Sequence, residues 1–525
     1  MNLSGRLPAT RSSTPLHGLP LTLVTVLLSM LWSLLVISQH AILNDDAFGY
    51  LRAAELFQAG EAQRVLQEYG WYGYSWLIAL LEPWLPGGLV VAAHILNTLS
   101  YAVLVWAFLL LCREYGQSNP ATDRHRLQWY AAITILACPL LNEMRYFLIR
   151  DAAFWALALL SLQQILRFNH RGLRRHALWW CLSLVGASLF RLEGLLLLAL
   201  TPVGLLLPHS PDTEARRQQW RRAGIAWGLA LATTVAISVL SLLFGLDLPS
   251  LAAYAYRYYL PELGALTLVL GDSIATANAG IFSAENFPRN DDISLLLGLL
   301  VLLFAYGVAL LAVLLKALSL PVAGVLGWYA RHGKPRLPPH CRGPLLAYGG
   351  TCLLALVLFL AIMHFLTQRY ATLPTLLLLS LLPQALVALQ NRLRRRGLEQ
   401  RFRLAFALCL LFLLVDGLIS FGDSKQYIEQ AIAWSRDQLP ADATLHSNDM
   451  AIARGSGLIV DYDRVEQNPA TLLANSKPGD YLILTLARDT HLATDKAQAF
   501  HALAEFADAR GNRIRILQHR QQEAD

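Results

Sequence analysis

Residues 19–57 read LPLTLVTVLLSMLWSLLVISQHAILNDDAFGYLRAAELF, an apolar run followed by an acidic segment. The run 19–38 contains no charged residue, and it has the length of about 20 residues that an α-helix needs to cross the hydrocarbon core of a bilayer. It is longer than the apolar region of a typical secretory signal, and further apolar runs follow it. The stretch therefore predicts a membrane protein whose first helix is retained as an anchor.

The composition of the whole chain is also typical of a membrane protein. Of its 525 residues, 55% are hydrophobic and 15% are charged, whereas soluble domains contain about 25% charged residues. These charges are too few to cover several water-soluble domains, so much of the exterior must face lipid. The composition also excludes a disordered chain and a collagen-like or disulfide-bonded scaffold.

Eleven apolar runs predict a polytopic α-helical membrane protein with about 11 transmembrane helices. The runs are 19–38, 89–112, 129–142, 152–167, 177–190, 193–207, 223–245, 293–315, 344–363, 371–389 and 403–422. The stretch 71–85 is also apolar, but it is short, and Pro86, Gly87 and Gly88 follow it. It is therefore predicted to be an interfacial or re-entrant helix.

The Lys and Arg residues between the runs orient the predicted bundle. With the N-terminus inside, the inner loops contain 24 Lys and Arg residues and the outer loops contain 8, while the remaining 11 of the 43 lie in the tail. Positive charge concentrates in the cytoplasmic loops of membrane proteins. We therefore expect a multi-pass plasma (inner) membrane protein with a cytoplasmic N-terminus and an extracytoplasmic (periplasmic) C-terminal domain. Because most of the positive charge lies in short loops, the net charge of +7 does not indicate nucleic-acid binding.

Two domains are predicted. Residues 1–422 form a transmembrane bundle with outer loops 39–87, 142–151 and 246–292, and residues 423–525 form a small soluble α/β domain. In the tail, the pattern predicts helices over 427–439 and 494–510 and strands over 444–446, 458–460, 481–486 and 513–518. The tail contains no phosphate-binding loop or nucleophile elbow, so we expect it to pack against the bundle or to dock an acceptor.

The first outer loop begins with a pair of carboxylates, Asp45 and Asp46, directly after Asn44. The apolar residues that follow recur at helical spacing: Ala47, Tyr50, Leu51, Ala54 and Phe57. This pattern is typical of an amphipathic helix that lies on a membrane. Two interpretations are open: carboxylates that cap this helix, with Asn44 at the N-cap, or a general base beside a second carboxylate.

Three further outer segments carry charges next to apolar runs. These charges are Glu143, Arg145, Arg150 and Asp151 in the second outer loop, Arg191 and Glu193 between two runs, and Arg369 before Tyr370. Charge close to hydrocarbon is costly unless it is paired, functional or able to reach the interface. Arg suits a two-point grip on phosphate, and Tyr suits a lipid–water boundary. The aromatic outer loop 246–292 suits either a sugar ring or a membrane interface.

The order of these features resembles the membrane glycosyltransferases of the GT-C fold, close to the bacterial lipid A aminoarabinose transferases and the protein O-mannosyltransferases. Asp45-Asp46 resembles the Asp-Glu or Asp-Asp motif of that family's first outer loop, and Asp151 resembles its second-loop acidic residue. Arg369-Tyr370 resembles its late Arg-Tyr motif. The stretch 72–76 departs from the Pro-Pro-Leu-type signature of many relatives, so the transferred sugar is not indicated.

The resemblance implies an inverting transfer from a polyprenyl-phosphate-linked sugar donor to a lipid, glycan or protein acceptor on the outer face of the membrane. It implies three sets of residues. Asp45 and Asp46 are catalytic, with Asp45 as the base; Arg369, Tyr370, Arg150 and Arg191 bind the donor phosphate; and Asp151, Glu143, Glu193 and Tyr50 bind substrate. Membrane lipid surrounds the bundle. A divalent cation at the acidic pair is left open, and the sequence indicates no other cofactor.

Two other functions compete with this one. A lipid-linked oligosaccharide polymerase or ligase has a similar bundle, but it does not require an acidic pair in the first outer loop. A polytopic transporter is expected to place ionisable or broken segments near the midplane in two repeated halves. The sequence has no such repeat, and its charges cluster at the outer boundary.

Overall fold

The computed structural model describes residues 19–39, 42–68, 72–207, 213–243, 271–272, 275–276, 279, 294–332, 337–418, 426–460, 465, 468–488 and 499–520. The predicted third outer loop, 246–292, therefore lies outside the described residues except at five positions. The chain forms two compact units. The first comprises Met1–Val36, Ala53–Arg145 and Ile149–Leu418, and the second comprises Ile37–Arg52, Tyr146–Leu148 and Ile419–Asp525.

Helices make up most of the described chain up to residue 418, and the predicted apolar runs fall mainly on them. They are α1 (Leu19–Ser38), α2 (Asp45–Gln58), α3 (Ala62–Glu68), α4 (Gly73–Leu81), α5 (Gly88–Tyr115), α6 (Ala121–Leu136), α7 (Pro139–Glu143), α8 (Asp151–Arg171), α9 (Arg174–Ser188), α10 (Glu193–Leu200), α11 (Thr213–Leu243), α12 (Ser294–Leu318), α13 (Leu320–His332), α14 (Pro339–Met363), α15 (Thr372–Leu379), α16 (Leu382–Arg395) and α17 (Glu399–Leu418). Short 3₁₀ turns follow α4, α5 and α10, at Glu82–Trp84, Gly116–Ser118 and Thr201–Leu206.

Within the described residues, five helical segments are long and apolar enough to cross a membrane, compared with about 11 predicted. The segments are Pro20–Ser38, Gly88–Tyr115, Leu299–Leu318, Pro339–Met363 and Thr372–Arg395. The numbers differ in part because the runs 129–142 and 177–190 fall on α6, α7 and α9, which contain 16, 5 and 15 residues. Helix α4 has nine residues and is roughly 14 Å long, so it is too short to span, as predicted for 71–85.

The bundle buries some helices and exposes the apolar faces of others. Helix α8 packs between α5 and α9, and Trp155, Leu159 and Leu162 on its inner face are at most 1% exposed. Large apolar side chains are exposed along α1 and α12, where Leu31 is 61% exposed and Phe304 is 74% exposed. Extended apolar surface of this kind is stable against lipid and not against water. The predicted polytopic helical membrane architecture is therefore confirmed.

One predicted loop contains a helix. Helix α13 lies between the predicted runs 293–315 and 344–363, in a segment rich in Lys and Arg that is one of the predicted inner loops. Its Val322 and Tyr329 side chains are buried, and the Tyr329 hydroxyl donates to Oε1 of Gln384 on α16 at 3.1 Å. At 13 residues it is too short to cross the membrane, which is why a search for spans missed it.

The second unit contains a five-stranded mixed sheet. Its elements are α18 (Gln426–Gln438), β1 (Thr444–Ser447), α19 (Met450–Gly455), β2 (Ile459–Val460), α20 (Pro469–Asn475), β3 (Tyr481–Leu486), β4 (Phe500–Ala507) and β5 (Arg513–His519). The strand order is β2-β1-β3-β5-β4, with β1 parallel to β2 and β3 and β5 antiparallel to β3 and β4. The four predicted strands and the helix predicted over 427–439 are confirmed.

The helix predicted over 494–510 is wrong wherever the structure describes it. Residues Phe500–Ala507 form β4, which pairs along its length with β5 and contains a bulge at Ala502 and Ala504. Alanine favours a helix by less than 1 kcal/mol per residue. Pairing with a neighbouring strand outweighs so weak a local preference.

Candidate functional site

A buried carboxylate joins two arginines in the first unit. Asp151 is the first residue of α8 and is fully buried. Its Oδ1 accepts a hydrogen bond from Nη1 of Arg191. Its Oδ2 accepts from Nε of Arg369 at 2.9 Å and is 2.6 Å from Nη2 of the same side chain. Three segments that lie far apart in the sequence thus meet at one carboxylate.

The charges explain why Asp151 remains ionised. Asp151 belongs to the predicted second outer loop, directly before the apolar run 152–167. Burial raises the pKa of its carboxyl, but Arg191 and Arg369 lower the pKa more, so that it lies below its usual range. A buried ion pair persists when its remaining hydrogen-bonding groups are also satisfied, and both oxygens of Asp151 are occupied here.

Glu193 and Tyr370 complete the surroundings of Arg191. Oε1 of Glu193 accepts from Nε of Arg191 at 3.0 Å and from Nη2 at 2.5 Å. The Arg191 guanidinium carbon lies 5.1 Å from the centre of the Tyr370 ring and 5.8 Å from that of Phe154, within the range of a cation–π contact. Arg191 is therefore held by two carboxylates and two aromatic rings.

The positive charge of this group exceeds its negative charge. Arg150 precedes Asp151 in the chain, and its Nε atom is buried without a hydrogen-bond partner. Arg150 also lowers the pKa of the Asp151 carboxyl, so among the described residues three guanidinium groups, those of Arg150, Arg191 and Arg369, accompany the carboxylates of Asp151 and Glu193, an excess of one positive charge. Such an excess attracts an anion, because Coulomb attraction is stronger near a poorly solvated surface than in bulk water.

A small cavity opens beside these residues. Its polar lining consists of Arg191, Glu193, Thr351, Arg369 and Tyr370, and its apolar lining comes from α8, α10, α14 and α15. Its volume is about 30 Å³, which is room for about one water molecule. The site therefore combines charged and apolar side chains around a small cavity.

Arg145 has a different environment from the other outer-loop charges. It is fully buried; its Nη1 donates to the hydroxyl groups of Ser29 at 3.1 Å and Ser33 at 2.7 Å, and its Nε donates to Asn142 at 2.9 Å. The side chain thus links α1 to the second outer loop. Because the Arg145 side chain is fully buried, it does not snorkel to the membrane interface. The available sequence signal was the pair of serines one helical turn apart within the apolar run of α1.

The catalytic pair predicted in the first outer loop lies in the second unit. Asp45 and Asp46 are exposed in the first turn of α2. Asn44 directly precedes the first residue of α2, and both of its side-chain amide atoms contact the main chain of Leu148. Oδ1 of Asn44 accepts from the Leu148 amide at 2.8 Å, and its Nδ2 is 3.5 Å from the Leu148 carbonyl oxygen.

The apolar face of α2 was predicted to lie on the membrane, but it is buried within the protein. Ala47, Leu51 and Ala54 have no exposed surface, so this face packs against protein. Tyr50 is half-buried, and Glu143 is exposed at the end of α7. The structure therefore gathers Asp151, Arg191, Glu193, Arg369 and Tyr370 in one place. Asp45, Asp46 and Tyr50 belong to the separate second unit.

Comparison with known sequences gives no match: neither a protein-family model nor a curated protein matches the chain. Solved structures match nearly all of it. The apo crystal structure of ArnT from Cupriavidus metallidurans matches with a TM-score of 0.55 and 14% identity, over 95% of this chain and 98% of that one. ArnT from the same organism bound to undecaprenyl phosphate matches with a TM-score of 0.53 and 13% identity, over 96% and 98%.

A third match is the archaeal oligosaccharyltransferase AglB from Archaeoglobus fulgidus, in complex with an inhibitory peptide and a dolichol-phosphate. Its TM-score is 0.50 at 12% identity, over 97% of this chain and 75% of that one. These structures are GT-C fold glycosyltransferases. The chain has the GT-C fold. At these identities the likeness establishes the fold alone, so roles within this GT-C chain depend on its own geometry.

Proposed function

We propose that this protein is an integral membrane glycosyltransferase. It moves a sugar from a polyprenyl-phosphate donor to a lipid, glycan or protein acceptor on the outer face of the membrane. The observation that carries the proposal is the group of Arg150, Arg191 and Arg369 around Asp151, in which the described residues have one more positive than negative charge. Two of the structures that share the fold contain a lipid phosphate, undecaprenyl phosphate and dolichol-phosphate.

The arginines have different parts in this proposal. Arg369 has 23% of its side chain exposed, whereas that of Arg191 has only 10% exposed. The cavity has room for about one water molecule, so the donor phosphate would meet the exposed edge of Arg369, while Arg150, the residue before Asp151, adds positive charge. Asp151 has no exposed surface, so it supports Arg191 and Arg369 and does not itself contact the substrate.

The chemistry is a single displacement with inversion. The hydroxyl or amine of the acceptor attacks the anomeric carbon of the sugar, the bond from that carbon to the phosphate oxygen breaks, and the electron pair leaves with the polyprenyl phosphate. Asp45, which is exposed at the start of α2, takes the proton of the acceptor as a general base. The guanidinium groups stabilise the charge that develops on the departing phosphate.

A divalent cation at the acidic pair would need ligands from the substrate. Within the described ranges, no group of three or more His, Cys, Asp or Glu residues is placed to hold a metal ion. Magnesium is commonly bound by one or two carboxylates together with substrate phosphate oxygens and water. Asp45 and Asp46 are the residues that would contribute such carboxylates, and the phosphate of the donor would supply further oxygens.

The test is an assay of purified protein in lipid with a panel of polyprenyl-phosphate sugars and a membrane-lipid extract as acceptor. The release of free polyprenyl phosphate is measured for the wild type and for Asp45→Asn. A general base contributes about 10²- to 10⁴-fold to rate, so we expect Asp45→Asn to lower release at least about 100-fold. The exposed Asp437 in α18 supplies a matched control, because Asp437→Asn makes the same exchange outside the site.

Three outcomes separate the alternatives. Loss of release with Asp46→Asn but not with Asp45→Asn would assign the base to Asp46. Release only from donors that carry an oligosaccharide would identify a polymerase or ligase, and no release from any donor by folded protein would favour a transporter. A repeat in the presence of a chelator establishes whether transfer depends on a divalent cation.

A further inference from the structure

The start of the helix that carries the acidic pair packs into the hydrophobic core of the second unit. Phe48 is 7% exposed and belongs to a buried cluster formed with strands and helices of the C-terminal domain. The partners include Ile428 of α18, Leu445 of β1 and Ile516 of β5. These residues follow Phe48 by hundreds of positions, so the first turn of α2 is built into a domain at the other end of the chain.

The position of Phe48 fixes the rotation of α2. Successive residues of a helix are about 100° apart around the axis, so Phe48 lies about 60° from Asp45 and about 160° from Asp46. With Phe48 buried, helix geometry places Asp46 on nearly the opposite side of α2 from the ring and Asp45 closer to it. Both carboxylates are exposed while the ring two or three positions later is buried.

A second contact holds the residue before the pair. Asn44 binds the main chain of Leu148 through both atoms of its amide, and Leu148 is fully buried. Tyr146–Leu148 is the part of the second outer loop that belongs to the second unit. In the sequence it comes three residues before Asp151. The acidic pair is thus held on one side by Phe48 and on the other by Asn44.

We propose that the C-terminal domain is a scaffold of the active site, and that Phe48 and Asn44 are positioning residues for the acidic pair. This inference depends on the proposed function, in which Asp45 is the base. Proton transfer requires the base within hydrogen-bond reach of the acceptor, and a displacement of about 1 Å can lower a rate about 100-fold. Loosening either contact lowers kcat even when the protein remains folded and binds its donor.

The test compares Phe48→Ala and Asn44→Ala with Phe500→Ala. Phe500 is 6% exposed in a different cluster of the same domain, with Leu472, Leu484 and Leu517, so its truncation weakens the domain without touching α2. We expect Phe48→Ala and Asn44→Ala to lower kcat per folded molecule about 10- to 100-fold, with affinity for undecaprenyl phosphate unchanged. Phe500→Ala is expected to lower the melting temperature and to leave kcat per folded molecule unchanged.

A double variant shows whether Phe48 acts through the base. Residues that act as a unit have non-additive effects on rate, so Phe48→Ala should add little further loss to Asp45→Asn. If Asp45→Asn abolishes transfer while Phe48→Ala and Phe500→Ala have equal effects, the base is correct and the scaffold inference is overturned. If Asp45→Asn transfers normally, the proposed base fails and the inference fails with it. Recovery of kcat by Phe48→Leu, which restores an apolar side chain, supports the inference.

Discussion

At the scale of single residues, a substitution of Arg369 tests the proposed donor site. Two of its N–H groups are directed at Oδ2 of Asp151, and a lysine would retain the charge while losing this geometry. A hydrogen bond between charged groups, such as the proposed one from Arg369 to the donor phosphate, contributes about 1.5–3 kcal/mol, and about 1.4 kcal/mol corresponds to a factor of ten. We therefore expect Arg369→Lys to weaken binding of undecaprenyl phosphate at least about tenfold, measured by titration calorimetry in detergent.

The matched control is Arg403→Lys. Arg403 also forms an ion pair, with its Nη2 2.9 Å from Oε1 of Glu399, but 70% of its side chain is exposed. An exposed pair contributes about 0–1 kcal/mol, so this exchange should leave both donor binding and stability unchanged. Equal effects of the two exchanges, or no effect of Arg369→Lys, would remove Arg369 from the phosphate site.

The residues of the site show which of its features can be predicted from a sequence and which cannot. Arg369, Arg191 and Asp151 were each recognisable, because charges next to apolar runs are costly and therefore conspicuous. Their meeting at one carboxylate was not predictable, because it joins positions 40 and 218 apart. Phe48 was missed for a related reason: its burial depends on a domain that begins hundreds of residues later.

At the scale of elements, close packing of the helices depends on two glycines. Gly343 of α14 lies against Gly204 in the 3₁₀ turn after α10, and a Cβ on either residue would overlap the backbone of the other. Small residues allow helix backbones to approach in this way in membranes. We expect Gly343→Ala to destabilise the protein by about 1–3 kcal/mol through overpacking, measured as a lower melting temperature in detergent.

Gly349 on the same helix provides the control. A Cβ there would meet nothing within 4 Å, and alanine is favoured over glycine in a helix by about 1 kcal/mol. Gly349→Ala is therefore expected to leave the melting temperature unchanged or to raise it. A decrease of the same size in both variants would show that α14 tolerates no added side chain, and that the Gly204 contact is not the cause.

At the scale of the whole molecule, the second unit bears on the orientation in the membrane. It combines parts of the first and second outer loops with the C-terminal tail, and segments that pack into one unit must lie on the same side of the bilayer. The sequence predicted the same grouping from an independent signal, the scarcity of Lys and Arg in those loops. The apolar runs alone do not predict this grouping, and neither does the tail alone, because the grouping depends on packing between distant segments.

The side itself is a prediction from the charges, and cysteine labelling tests it. Ala509, in the turn between β4 and β5, and Arg396, between α16 and α17, are both exposed. The six native cysteines are buried or half-buried and give little background. A membrane-impermeant maleimide applied to intact spheroplasts is expected to label Ala509→Cys and not Arg396→Cys, and to label both after permeabilisation. The reverse pattern would place the tail in the cytoplasm, away from an outer-face acceptor. It would overturn the orientation and with it the outer-face site of transfer.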